Sequence, residues 1–190
     1  MVFDPTGNTV LKVTETVIPG LYEIDLVVPG DNRGWFKENY QLAKMEALGL
    51  PHFEIVQNNI SFNTEVGVTR GMHLEPWVKF ISVASGSVLG AWTDLRKGDN
   101  FGKTITVKIT PGKAIFVPLG VANGFQTLEP NVAYTYLVNA FWYPEAKYTF
   151  VNLFDPDLNI DWPIPKDRAI VSAKDAGHPL LKDITEVEVN

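Results

Sequence analysis

Cysteine is absent from this 190-residue chain, which excludes a disulfide framework and thiolate chemistry. A basic excess is missing too: 16 lysines and arginines stand against 22 aspartates and glutamates, a formal net charge of −6. Nucleic-acid-binding domains usually carry a positive footprint, so no nucleic-acid partner is expected. A locally positive pocket for an anionic small molecule remains compatible with that balance. No apolar run approaches the ~20 residues that span a bilayer. The start, Met1-Val2-Phe3-Asp4-Pro5, has neither the basic nor the apolar region of a secretory signal. The expectation is a cytoplasmic protein with no membrane partner. With no internal repeat, low-complexity tract or Gly/Ser-rich linker, residues 1–190 read as one domain with short terminal arms.

Histidine is scarce, with three in all. His52 and His178 stand in proline-flanked, loop-like contexts, whereas His73 interrupts strand-like sequence shortly before Lys79. Imidazole alone among side chains has an unperturbed pKa that lets it take and return a proton near neutral pH. H-x-H and H-E-x-x-H spacings are both absent, and three scattered histidines do not readily assemble a three-histidine centre, so no metal ligands and no catalytic metal are expected. Phosphate-loop, dinucleotide and G-x-S-x-G patterns are absent as well. Ser85-Gly86-Ser87 reads as a hairpin turn.

What is present is mostly strand pattern. Residues 10–28 alternate loosely and break at Pro19-Gly20. Residues 39–49 form the best helix candidate of the N-terminal half, with Leu42, Met45 and Leu48 on one face, Asn39 as cap and Gly49 at the end. Apolar runs at 80–84 and 88–92 suggest a pair of neighbouring strands. Ile105, Val107 and Ile109 alternate with Thr104, Thr106 and Lys108, the mark of a half-buried strand. Ala114–Pro118 and Val132–Val138 follow, with turn signals at 31–34, 97–100, 111–112 and 129–131. Residues 166–184 read as a short helix or two plus loop, the run 168–176 being the best piece. Many short strands with regular turns predict a β-sandwich or barrel.

Polar groups set in this pattern are the candidates for chemistry. Arg33 and Glu38 flank Trp35 and Phe36; Gln57, Asn58 and Asn59 cluster; then come Arg70, His73 and Lys79, Tyr134 and Tyr136, the aromatic run Phe141-Trp142-Tyr143, and Asp175. Singly, each has a bland account as turn decoration, backbone partner or core aromatic, and spacing alone does not gather them. Strand parity puts His73 with Gly71 on one face and Arg70 with Met72 on the other.

Six segments, in order, give these residues a context. They are Asp31-Asn32-Arg33-Gly34-Trp35-Phe36-Lys37-Glu38, Val56-Gln57-Asn58-Asn59-Ile60-Ser61, Arg70-Gly71-Met72-His73, Asp94-Leu95-Arg96 with Phe101-Gly102, 117–125, and 155–163. Together they resemble the dTDP-4-dehydrorhamnose 3,5-epimerase family from about Pro19 to Pro179. The resemblance implies an all-β-dominated, cupin-type jelly-roll barrel with short flanking helices. It also implies a homodimer whose N-terminal strands pack across the interface, and no cofactor. The implied substrate is a dTDP-linked 4-keto-6-deoxy sugar, epimerised at C3 and C5.

Carried over position by position, the resemblance implies His73 as base, Asp175 as the acid orienting it, Tyr136 as proton donor on the opposite face, and Lys79 beside the C4 oxygen. Arg33, Glu38, Gln57, Asn59 and Arg70 match nucleotide-contacting positions. Phe36, Asn123 and Trp142 join the substrate-binding set, Trp142 as a stacking surface for thymine. The chain departs from the common pattern at Asn123, where most relatives have histidine, at Trp142, where many have tyrosine, and in a shorter 73–79 segment. These departures resemble a streptococcal-type branch. The rival readings are a single-centre epimerase of another dTDP-deoxysugar and a non-catalytic nucleotide-sugar-binding cupin.

Overall fold

The computed structural model describes residues 10–189; the outermost ends of the expected domain, 1–9 and 190, lie outside the described residues. In chain order the strands are β1 (Lys12–Glu15), β2 (Tyr22–Asp25), β3 (Gly30–Asp31), β4 (Gly34–Trp35), β5 (Gln57–Asn63), β6 (Thr69–Leu74), β7 (Lys79–Ser85), β8 (Val88–Asp94), β9 (Thr104–Ile109), β10 (Lys113–Val117), β11 (Val121–Thr127), β12 (Val132–Val138) and β13 (Thr149–Phe150). Two short helices, α1 (Leu42–Ala47) and α2 (Ala173–Ala176), flank them. A six-stranded sheet, β1-β2-β10-β7-β12-β5, faces a five-stranded sheet, β13-β6-β11-β8-β9, and the named ladders are antiparallel. This is the cupin-type jelly roll, its two sheets open at the edges. No helix among the described residues is long and apolar enough to cross a membrane.

Three apolar clusters explain the sequence pattern. One, with Ile81, Val83, Trp92, Ile115, Phe125 and Tyr134, fills the space between the sheets. A second, with Phe80, Phe116, Met45 and Phe53, lies on the outer face of the six-stranded sheet under α1. A third, with Ala91, Leu95, Leu153, Trp162 and Leu181, lies under the C-terminal segment on the outer face of the other sheet. Central strands are therefore buried on both faces, and this is why 80–84 and 88–92 read as continuous apolar runs. Burying both faces of such a strand stabilises by about 25 cal/mol per Å² of apolar surface.

Those two runs are not paired, contrary to the sequence expectation. β7 pairs with β10 and β12, while β8 pairs with β11 and β9. Ser85-Gly86-Ser87 is the corner where the chain crosses from one sheet to the other, not a hairpin. Gly86 takes φ +72° there, and a Cβ on it would meet Val132 Cγ2 at 2.7 Å. The helix begins at Gln41, whose side chain accepts from the Lys44 amide at 2.6 Å. Asn39 instead accepts from the Ser82 hydroxyl at 2.7 Å. Of the predicted helical face only Met45 is buried; Leu42 and Leu48 are exposed.

Candidate functional site

Between the sheets, a cavity opens where β6 and β11 face β7 and β12. His73 and Asn123 line it from the five-stranded sheet, as cross-strand neighbours. Lys79, Ile81, Tyr134 and Tyr136 line it from the six-stranded sheet. Alternation along β7 and β12 aims these four inward together, since Tyr136 pairs with Ile81 and Tyr134 with Val83. Ser61 extends the same wall from β5, directly opposite Tyr134.

Arg70 and His73 are three residues apart in β6, yet both line the cavity. The parity reading that separated them fails because the β6–β11 register shifts: His73 pairs with Asn123, but Arg70 pairs with Phe125. Two β6 residues thus stand against Gly124 alone, and one extra residue in a strand reverses its alternation. Glycine at 124 is required by the fit, since a Cβ there would lie 2.7 Å from Met72 Sδ and 2.9 Å from the Arg70 carbonyl. Arg70 Nε donates to Asn63 Oδ1 at 2.9 Å.

His73 Nε2 lies 3.0 Å from Asp175 Oδ1, across 102 residues of chain. Asp175 lies in the first turn of α2, where the capping Ser172 Oγ accepts from its amide at 3.0 Å. Its second oxygen accepts from the Gly71 amide at 3.4 Å. The carboxylate is thereby fixed to the strand that carries the histidine, and Nδ1 remains the imidazole nitrogen free to take a proton. Burial lowers the His73 pKa below its ordinary value, against the raising effect of the Asp175 hydrogen bond. The ring is a neutral base near neutral pH. Tyr136, on the other wall, has its pKa raised by burial and by Tyr148, with Arg70 acting the other way. It therefore holds its proton.

Lys79 is 5% exposed. Its Nζ donates to Asn123 Oδ1 at 2.5 Å and forms an ion pair with Glu75. Burial pushes the ammonium down to about 7; the Glu75 carboxylate opposes that by favouring the charged form.

The remaining predicted residues divide. Gln57 and Asn59 share the inward face of β5 with Ser61 and hydrogen-bond each other at 2.7 Å. Gln57 Oε1 also accepts from the Trp142 amide at 3.3 Å, which leaves the Trp142 ring exposed beside the strand. Arg33, Phe36 and Glu38 are not in this cavity. The Arg33 side chain is 85% exposed and bound to Asp31; Phe36 is exposed; Glu38 pairs with Lys44 at 2.5 Å. Sequence reasoning missed Glu75, Ser61 and Phe125 as lining groups, and His178, which is buried against Asp175 rather than in an open loop. Glu75 had one available signal, its place four residues before the singled-out Lys79, with Pro76 between them.

The arrangement suits proton transfer next to a carbonyl. A base enters from one wall and a phenol from the other, with a cation and an amide between them. A family model described as dTDP-4-dehydrorhamnose 3,5-epimerase matches residues 15–183. A protein RmlC homolog from Streptococcus pyogenes serotype M6 is 53% identical over 174 residues, 88% of this chain and 87% of its own. The structure of RmlC from Streptococcus suis in complex with dTDP-D-xylose superposes with a TM-score of 0.90 at 50% identity, covering 95% of this chain and 96% of that one. A Legionella pneumophila dTDP-6-deoxy-D-glucose-3,5-epimerase RmlC, in complex with dTDP-4-keto-L-rhamnose, gives 0.83 at 31% identity over 92% and 95%.

Proposed function

The chain belongs to the dTDP-4-dehydrorhamnose 3,5-epimerase family, and from that premise we propose that it converts dTDP-4-dehydro-6-deoxy-D-glucose to dTDP-4-dehydro-L-rhamnose as a single epimerase domain. The observation that carries the reading is the His73–Asp175 pair at 3.0 Å, set across the cavity from Tyr136.

Hydrogens on C3 and C5 are both α to the C4 ketone, so removing either gives an enolate. His73 Nδ1 takes the proton. Asp175 fixes the tautomer and stabilises the imidazolium, and Lys79 stabilises charge on the C4 oxygen. Tyr136 returns a proton from the opposite wall, which inverts the centre. Arg70 supports that step, because a nearby guanidinium stabilises the phenolate left behind. Each inversion leaves His73 protonated and Tyr136 ionised; exchange of both with water resets the pair before the second centre, and no redox partner or cofactor is called for. Gln57, Asn59 and Asn123 are placed to hydrogen-bond the substrate, and Trp142 presents an open ring for stacking on thymine.

Of the two arginines expected at the nucleotide end, the single chain brings Arg70 to the cavity and leaves Arg33 outside it. In the homodimer we propose, the Arg33–Phe36 hairpin of one protomer completes the cavity of its partner. Exposed Trp35 and Phe36 on that hairpin, and exposed Ile60 and Phe62 on the outer face of edge strand β5, supply apolar surface for such contacts. A diphosphate-bearing substrate does not cross a bilayer unaided, which supports action in the cytoplasm.

Incubation of the protein with the 4-keto sugar nucleotide in D₂O tests the reading. Label at both C3 and C5 is expected. Label at one centre identifies a single-centre epimerase, and none identifies a binding protein without turnover. Tyr136→Phe is expected to keep wash-in at the first centre while slowing product formation about 10²–10⁴-fold, the range of a general acid. Equal loss of wash-in and product formation would move Tyr136 from reprotonation to substrate binding.

A further inference from the structure

Behind His73 lies a second imidazole that the reaction leaves unused. His178 Nε2 is 3.7 Å from Asp175 Oδ1, the oxygen already paired with His73 Nε2 at 3.0 Å. Its side chain is 6% exposed, and neither ring nitrogen has a well-formed hydrogen bond, although the Gly71 carbonyl faces it. Phe150 stacks on the ring at 4.6 Å and 23°, and His73 meets it edge-on at 5.5 Å, so it is held in place.

Ligand atoms of His73, Asp175 and His178 all lie within 4.8 Å of one another. In a tetrahedral zinc centre with bonds of about 2.0–2.1 Å, neighbouring ligand atoms are about 3.3–3.4 Å apart, between the two separations above. Two imidazoles and a carboxylate are a ligand set that zinc accepts. Spacing gives no hint of it, because the strand supplies one ligand and the C-terminal segment the other two. Two nearby cations oppose a bound ion: Lys174, whose Nζ sits 4.9 Å over the Phe150 ring beside His178, and Lys79, whose charge acts on His73.

We propose that His73, Asp175 and His178 form an inhibitory site for a zinc-like divalent cation. A cation on Nε2 takes Asp175 away from its orienting role and withdraws electron density from the ring, so Nδ1 becomes a poorer base. The inhibition rests on the function proposed above; the binding does not.

The test uses full-length protein labelled with ¹⁵N-histidine and titrated with zinc chloride without substrate, whose diphosphate would chelate the metal. The three histidines allow a complete reading. The His73 and His178 resonances are expected to shift and that of His52, on the surface beside Glu46, to stay. His178→Phe, which keeps a ring on Phe150, and His178→Gln should each weaken zinc binding beyond the about 10–100-fold typical of losing an outer-shell partner. With free zinc held at a fixed concentration by a metal buffer, so that chelation by the substrate does not change it, deuterium wash-in by either variant should then resist zinc that stops the wild type. Shifts confined to His52, no shifts, or wild-type zinc affinity in both variants would overturn the site. A protein that binds zinc as described but never exchanges deuterium would keep the site and remove the proposed reaction.

Discussion

His73→Ala is expected to abolish deuterium incorporation at both C3 and C5 and to lower turnover by at least the about 10²–10⁴-fold that a positioned base contributes. The size follows from the cavity wall. Burial favours the neutral form of both His73 and Lys79 in this wall, but Lys79 is committed to its ion pair with Glu75 and its hydrogen bond to Asn123, which leaves His73 as the base. Glu75 is engaged with Lys79, and Asp175 reaches the cavity only through the imidazole. Removing the ring leaves no second group to take the proton. Folding should survive, because the side chain is 31% exposed and Asp175 retains the Gly71 amide and its place at the start of α2. Asp175→Asn should produce a smaller loss with exchange still measurable, since an amide keeps contact with Nε2 but cannot stabilise the imidazolium. Exchange at the wild-type rate in His73→Ala would move the base elsewhere, and the reaction proposed for this cavity would have to be rebuilt.

The elements most legible in the sequence were those whose burial is one-sided or whose ends carry turn residues. β9 follows its alternation, β12 falls on the expected run 132–138, and the Pro19-Gly20 break falls between β1 and β2 as expected. Pairing was not legible where strands are buried on both faces. A continuous apolar run names no partner, and β7 and β8 were joined by their shared glycine turn although they belong to different sheets. The helix cap was missed because glutamine at 41 does what asparagine at 39 does more often. Within the site, the resemblance gathered His73, Lys79, Tyr136 and Arg70 into one cavity, and spacing had not. Parity failed at Arg70 because an extra residue in β6 is visible only once β11 lies beside it. His178 was passed over for its proline neighbour, yet Phe150 and Asp175 bury it. Arg33 does not line the cavity within one chain; its side chain is exposed and paired with Asp31 of the same hairpin.

Lys79→Met should cost about 10²–10³-fold in kcat, the range seen when one group stabilising an oxyanion is removed. The pH dependence separates this role from a structural one. Only the ammonium form stabilises an enolate; it is present at low pH and lost as pH rises through about 7, to which burial pushes the group. Glu75 delays that loss by holding the charge. His73 works in the opposite sense, because it must be neutral and its lowered pKa keeps it so into mildly acid solution. The kcat/KM profile should therefore be a bell, with an acid limb from His73 and an alkaline limb from Lys79. Lys79→Met should flatten the alkaline limb, and Glu75→Gln should move it to lower pH by removing the opposing charge. Lys79→Met alone also strands a largely buried carboxylate, so part of its effect will be lost stability. Adding Glu75→Gln to it should recover thermal stability without recovering rate. Recovery of both would mean that the lysine serves the fold and not the enolate, because a neutral pair cannot supply the positive charge that the C4 oxygen requires.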